Sequence, residues 1–221
     1  MARVADPNKA PAEPTSRQQV LRRERVLAAA AELGERDGFD RVQMNDIAKT
    51  AGVAVGTLYR YFPSKTQLFN ILLQEELRKF AVEEWNGTAV EDPLLEVGEQ
   101  LVRLTRRLMS RRRLMLAMIH GAQAGYATTT TAEAVSQQLP LIAKMLAALG
   151  ISEPTDEDRS RAQLLTYSWW SVLVSIVHEK ATPESGEEQI RIAARLLLTP
   201  CSCWKQPARN VPTSRMTVRS N

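Results

Sequence analysis

From residue 16 onward, apolar positions recur at helical spacing, and no stretch of useful length alternates with a period of two. Ser16 is a plausible cap for a first helix in which Val20, Leu27, Ala28, Ala31 and Leu33 recur at helical spacing and which Gly38 stops. A second, short helix is predicted from Gln43 to Ala51, with Met44, Ile47 and Ala48 inward and Gly52 just past its end. A third runs from about Val55 to Phe62 and ends at Pro63. Ser64 caps a fourth, expected to reach Trp85 before Asn86-Gly87 breaks the pattern. Further helices are expected over 92–110, 112–124, 130–149, 155–180 and 187–199, separated by Gly125, by Gly150 to Pro154 and by Thr182-Pro183.

This pattern predicts an all-α chain. Residues 1–16, broken by Pro7, Pro11 and Pro14, read as a disordered arm. A three-helix unit is expected over 17–63, a larger helical unit over 64–200, and a flexible basic tail over 201–221.

Composition adds bounds rather than identity. Hydrophobic residues make up 44% of the 221, enough for a substantial core. The formal charge is +4, but Lys205, Arg209, Arg215 and Arg219 of the tail account for it, leaving the rest near neutral. Affinity for a polyanion must therefore come from where charges are placed rather than from their sum. Cys201 and Cys203 are too close to frame a disulfide scaffold, which fits a reducing compartment. The two histidines have no metal-ligand spacing, so neither metal nor cofactor is expected. The first fifteen residues lack the apolar stretch of a signal peptide, and no run of about 18 uncharged apolar residues suggests a membrane span. A cytoplasmic, nucleoid-associated protein is expected.

The second and third helices carry the sharpest signal. A helix-turn-helix needs a tight turn between two short helices, and Gly52 can adopt the positive φ such a turn uses. Val53 then serves as an apolar plug, and Ile47, Ala48, Leu58 and Phe62 supply a small core with the first helix. The seven residues from Val55 to Tyr61 make a helix about 10 Å long, which fits a major groove about 12 Å wide. On its free face, Val55, Gly56 and Thr57 can meet base edges or backbone, Tyr59 and Tyr61 can reach phosphates, and Arg60 can meet a phosphate or a guanine. Arg17, Arg22, Arg23 and Arg25 cluster at the start of the first helix, Gln43 opens the second, and Lys65 opens the fourth, all candidate phosphate contacts. The same spacing also occurs in helical bundles that bind no DNA.

The residues themselves go further. Arg25-Val26-Leu27, Ala29-Ala30, Gly38-Phe39, Ile47-Ala48, Ala51-Gly52-Val53 and the run Gly56 to Lys65, followed by Leu68, resemble the N-terminal domain of TetR-family transcriptional regulators over about residues 20–70. The resemblance implies a two-domain homodimer, usually a repressor, with a variable C-terminal domain that binds a small effector. A weaker likeness, through Val42-Gln43-Met44, Val53 to Lys65, Ala117-Met118 and the helix from Trp169 to Ala181, is to actinobacterial repressors of sterol catabolism, which respond to steroid-derived acyl-CoA thioesters. Asn45-Asp46 and Lys49-Thr50 depart from that pattern, so the operator need not be shared.

Within the larger unit, Met109, Leu116, Met118, His120, Tyr126, Leu141, Met145, Tyr167, Trp169, Trp170 and Val174 read either as plain core or as an apolar effector cavity with a few polar handles. Leu173, Val177, Ile190, Ala194 and Leu197 are candidates for a dimer bundle built from the last two helices. Such a dimer would hold two reading helices about 34 Å apart, on successive major grooves of a palindrome. His178 reads as exposed or at a dimer seam. The basic run Arg103, Arg106, Arg107, Arg111, Arg112 and Arg113 reads either as solvated surface or as a phosphate site for a CoA ligand. The expected partners are thus double-stranded DNA, an apolar effector and a second copy, with no membrane. The alternatives are an activator or ligand-independent DNA binder and, with no catalytic constellation in support, a helical enzyme.

Overall fold

The structure, a computed structural model, describes residues 16–85, 92–126 and 131–199. Among these, every regular element is helical: α1 (Arg17–Asp37), α2 (Met44–Ala51), α3 (Val55–Tyr61), α4 (Lys65–Lys79) with a π-helical turn over Phe80–Glu84, α5 (Pro93–Met109), α6 (Arg112–Tyr126), α7 (Thr131–Ala148), α8 (Asp156–Val177) and α9 (Pro183–Leu198). The expected arm and tail lie outside the described residues, apart from Ser16.

Local chemistry explains the boundaries. The Ser16 and Ser64 hydroxyls accept from the backbone N–H groups of Gln19 and Gln67, and the Asp92 carboxylate from those of Leu94 and Leu95. Thr155 and Asp158 form a reciprocal capping box at the start of α8. Three helices end in the same reverse turn, a Schellman closure. At α2 the Val53 N–H donates to the Ala48 carbonyl and Gly52 adopts φ 63°, ψ 42°. At α7 Ile151 donates to Leu146 around Gly150 at φ 72°. At α8 Lys180 donates to Ser175, but the residue held at positive φ is Glu179, at 57°.

Three boundaries differ from expectation. Gly125 does not end α6, which continues to Tyr126. Thr182-Pro183 opens α9 rather than preceding it: Pro183 sits in the first turn, where its missing N–H is not needed, and the Thr182 side chain caps the Ser185 N–H. Finally, α4 widens into a π turn before Trp85, whose N–H donates to the Phe80 carbonyl.

The core is continuous from end to end. In the head, Val26, Leu27, Ala30 and Leu33 of α1 bury against Ile47, Ala48, Leu58 and Phe62. That core continues through Leu68, Phe69 and Leu72 of α4 to Leu114 and Met118 of α6. Gly121 of α6 lies so close to α4 that a Cβ there would stand 2.6 Å from the Asn70 nitrogen and 2.7 Å from the Thr66 oxygen. In the body, α5, α8 and α9 close around Leu101, Leu104, Leu165, Trp169, Ile190 and Ala194. No described helix is long and apolar enough to cross a membrane.

Candidate functional site

Helix α3 is held from behind and free in front. Leu58 is fully buried, and Tyr61 and Phe62 sink into the head core. Val55, Gly56 and Arg60 are exposed, while Thr57 and Tyr59 are half-buried. Tyr61 therefore does not stand beside Tyr59 on the free face. It is two positions further round the helix, its ring lies in the core, and Arg60 lies over it at 5.9 Å. Gly56 is unusual in another way: beyond its own turn of helix, a Cβ added there would meet nothing within 4 Å. Nothing inside the protein explains that glycine, although glycine costs a helix about 1 kcal/mol relative to alanine.

The flanking cations divide into free and occupied. Arg17, Arg22 and Arg25 are exposed on α1, with Arg25 beside Gly52. Arg22 and Arg25 also line a concavity of about 620 Å³ with Gln18, Leu21, Glu24 and Ala28. Gln43 is exposed and makes no side-chain cap to α2. Arg23, by contrast, turns inward, pairing with Glu75 of α4 at 3.0 Å and lying 5.9 Å above the Phe62 ring. Burial pushes the Glu75 carboxyl up, and hydrogen bonds from Arg78 and Arg23 overcome that to hold it below its ordinary value.

Lys65 is also engaged. Its ammonium donates to the carbonyls of Phe39 (2.7 Å) and Val42 (3.1 Å), reaches that of Asp40 at 3.5 Å, and lies 4.4 Å from the Phe39 ring centroid. Its work in this structure is to pin the α1–α2 loop, and through it the start of α2. Sequence reading assigned both Arg23 and Lys65 to phosphate because their partners, Glu75 and the loop carbonyls, lie too far along the chain to be foreseen.

The candidate effector residues scatter. Met118, Leu141 and Met145 are buried in the core, and Met109, Leu116, Trp170 and Val174 pack against it. Trp169 is buried and its indole N–H donates to the Thr105 hydroxyl at 2.9 Å, so it offers no free polar handle. His120 faces outward and stacks on Phe39, centroids 5.2 Å apart, rather than lining the interior. Tyr167 is exposed, its hydroxyl accepting from Gln163. The Tyr126 side chain lies outside the described residues. Neither the concavity on α1 nor a second one of about 250 Å³ between residues 37–41 and Arg113 is lined by any of these residues.

The candidate dimer residues need correction. Leu173, Val177, Ile190 and Ala194 are consumed inside the protomer, and Leu197 is half-buried. The apolar side chains that α8 and α9 leave exposed are Leu164, Tyr167, Ile192 and Leu196, the last 75% exposed. Sequence periodicity found both helices apolar on more than one side without saying which side the protomer would use. His178 is exposed at the end of α8.

The basic run is occupied throughout. Arg106 meets Glu187, Arg107 meets Glu76 and Glu84, Arg111 meets Glu35, Arg112 meets the Val177 carbonyl and Glu179, and Arg113 meets the Arg36 carbonyl. Arg103 bonds Gln100. Each arginine of the run therefore has a partner within the protein. Among the described residues no group of acidic, His or Cys side chains could hold a metal ion.

Comparison with known proteins decides what the head is. Residues 26–72 match the model of bacterial regulatory proteins of the tetR family, and residues 87–197 match a tetracyclin repressor-like C-terminal domain. The chain belongs to the TetR family. It is 31% identical to the HTH-type transcriptional repressor KstR of Mycobacterium tuberculosis over 83% of either chain, and 31% identical to the Rhodococcus jostii KstR over 83% of this chain and 86% of that one. Its fold superposes on a TetR transcriptional regulator from Rhodococcus sp. RHA1 with a TM-score of 0.74 and 38% identity, covering 85% of this chain and all of the other. A Thermus thermophilus FadR, a TetR-family repressor solved with lauroyl-CoA, shares the fold at 23% identity and a TM-score of 0.55, over 84% of this chain and 98% of that one. This TetR-family protein is a DNA-binding transcriptional regulator with a helix-turn-helix, not an enzyme.

Proposed function

We propose that this regulator is a homodimeric repressor that grips a palindromic operator and lets go when a small apolar effector enters the body. The observation that carries the operator reading is the outer face of α3, where Gly56 is a glycine that no contact within the chain requires and Val55, Thr57, Tyr59 and Arg60 surround it. A glycine with open space in front allows a close approach of something from outside, here the floor or wall of a major groove. Arg17, Arg22, Arg25 and Gln43 flank it as phosphate contacts.

The dimer reading rests on Leu164, Tyr167, Ile192 and Leu196, apolar side chains exposed on neighbouring helices. Repression and an apolar effector follow the relatives: repressors by name, and a fold shared with a lauroyl-CoA complex. The methionines of α5, α6 and α7, adaptable in shape, suit an acyl or steroid chain. A gel shift on the DNA upstream of the protein's own gene tests the reading. Retardation at low salt, reversed by a long-chain or steroid acyl-CoA, is expected. Absence of retardation sinks the operator claim, and retardation indifferent to every acyl-CoA and free acid sinks the effector claim.

A further inference from the structure

Three consecutive arginines at the start of α6 reach three different places. Arg111 pairs with Glu35 of α1 and extends a second N–H towards the Ala31 carbonyl at 3.5 Å. Arg113 donates to the Arg36 carbonyl, in the last turn of α1, at 2.6 Å. Arg112 turns the other way and directs two N–H groups, at 3.1 and 2.8 Å, to the Val177 carbonyl that ends α8. Its guanidinium also meets the Glu179 carboxylate at 2.7 Å. One short segment thus grips the end of the head's long helix with two side chains and the end of α8 with the third. Two turns on, His120 continues the grip by stacking on Phe39, just past the end of α1.

Glu179 supplies an independent observation. Of the three Schellman closures described above, two place glycine at positive φ, as backbone sterics favour. The third places Glu179 there, a conformation that disfavours any side chain with a Cβ. The exception falls on the residue whose carboxylate meets Arg112. Exposed ion pairs do little for stability, so strain tolerated for one suggests a geometric role.

We propose that Arg111, Arg112 and Arg113, with Glu179, form a joint that sets the angle of the DNA-reading head on the body. They are positioning residues, and none of them touches DNA. The apolar contacts of Leu114 and Phe69 hold head and body together, whereas the guanidiniums are directional and fix how one is turned on the other. Because α8 also carries part of the apolar face assigned to the partner copy, the joint relates each α3 to the dimer axis; this last step rests on the dimer reading above.

The test measures the head–body angle directly. Spin labels are placed on exposed residues of the full chain through Asn45→Cys in α2 and Gln189→Cys in α9, with Cys201 and Cys203 replaced by Ser and unlabelled protein in excess. A narrow distance distribution is expected for the parent. Broadening or displacement is expected for Arg112→Gln and for the Arg111→Gln/Arg113→Gln pair. Glu179→Gly is the discriminating variant: it relieves the backbone, so Tm should hold or rise while the distribution still broadens. Distributions identical to the parent's in all three variants overturn the proposal, as does broadening that appears only with lost helicity. On promoter DNA, Arg112→Gln should weaken specific binding roughly tenfold, within the range for coupling residues remote from a ligand, with the salt slope unchanged. A reduced slope would make Arg112 a phosphate contact and overturn its role. The distance measurement uses no DNA, so failure of the operator reading and failure of the joint are separately visible.

Discussion

The indole N–H of Trp169 donates to the hydroxyl of Thr105, and that hydroxyl in turn donates to the Leu101 carbonyl at 2.8 Å. This chain of bonds ties α8 to α5 through a mostly apolar interior. Thr105→Val keeps the shape and removes both bonds, leaving a buried indole N–H without an acceptor. A loss of about 1–3 kcal/mol is expected, read in urea unfolding as a lower midpoint at constant slope.

Gly56→Ala should move two properties in opposite directions. With no neighbour to meet the new methyl group, the helix gains about 0.5–1 kcal/mol, seen as a higher Tm. Operator affinity should fall, because the methyl group stands where the DNA approaches. Equal or tighter binding would remove Gly56 from the interface.

Two other glycines are tight for different reasons. A Cβ on Gly121 would strike the α4 backbone at Asn70 and Thr66, which cannot give way without parting the helices. A Cβ on Gly186 would strike only the side chains of Ile176 and Val172, which can change rotamer. Gly121→Ala should therefore cost about 1–3 kcal/mol or more and Gly186→Ala distinctly less, both read by chemical unfolding.

Lys65 separates holding from touching. Lys65→Gln should release the loop carbonyls of Phe39 and Val42, lowering Tm and raising amide exchange across residues 38–43 in the absence of DNA. Arg60→Gln, on the exposed face, should leave both unchanged and reduce the salt slope of binding by about one.

Glu75 predicts part of the acid limb. Its carboxyl is held below the ordinary value despite burial, so the folded chain binds fewer protons there than the unfolded one. Its contribution is complete above the unfolded value, about 4.3, and fades as pH falls through the lower folded value. Glu75→Gln should lower Tm most near neutrality, and the difference from the parent should shrink in acid.

What could be read from the chain, and what could not, divides along range. The helices of the head, Gly52 in its turn and Ser16 and Ser64 as caps are local signals, and each lies where expected. Arg23, Lys65 and Arg111 to Arg113 were read as free cations because their acceptors are carbonyls and carboxylates tens of residues away. Tyr61 was misplaced because a seven-residue helix turns nearly twice, and the pattern alone does not say which tyrosine faces in. The apolar excess of α8 and α9 was legible, but which residues close the protomer depends on α5 packing behind them. His120 looked like an interior handle by its apolar neighbours, yet helical rotation sets it against Phe39 at the surface.

The unbroken core between α1, α4 and α6 bears on how such proteins can be recombined. Phe69 presses on Gly34 from α4 and Leu114 from α6, so a fragment cut near Pro63 would leave α1 without two of the surfaces that cover it. A chimera that borrows this chain's operator preference should therefore transplant the outer residues of α3 onto an intact host rather than exchange whole N-terminal blocks. The portable unit is a handful of side chains, while the helices beneath them belong to the rest of the molecule.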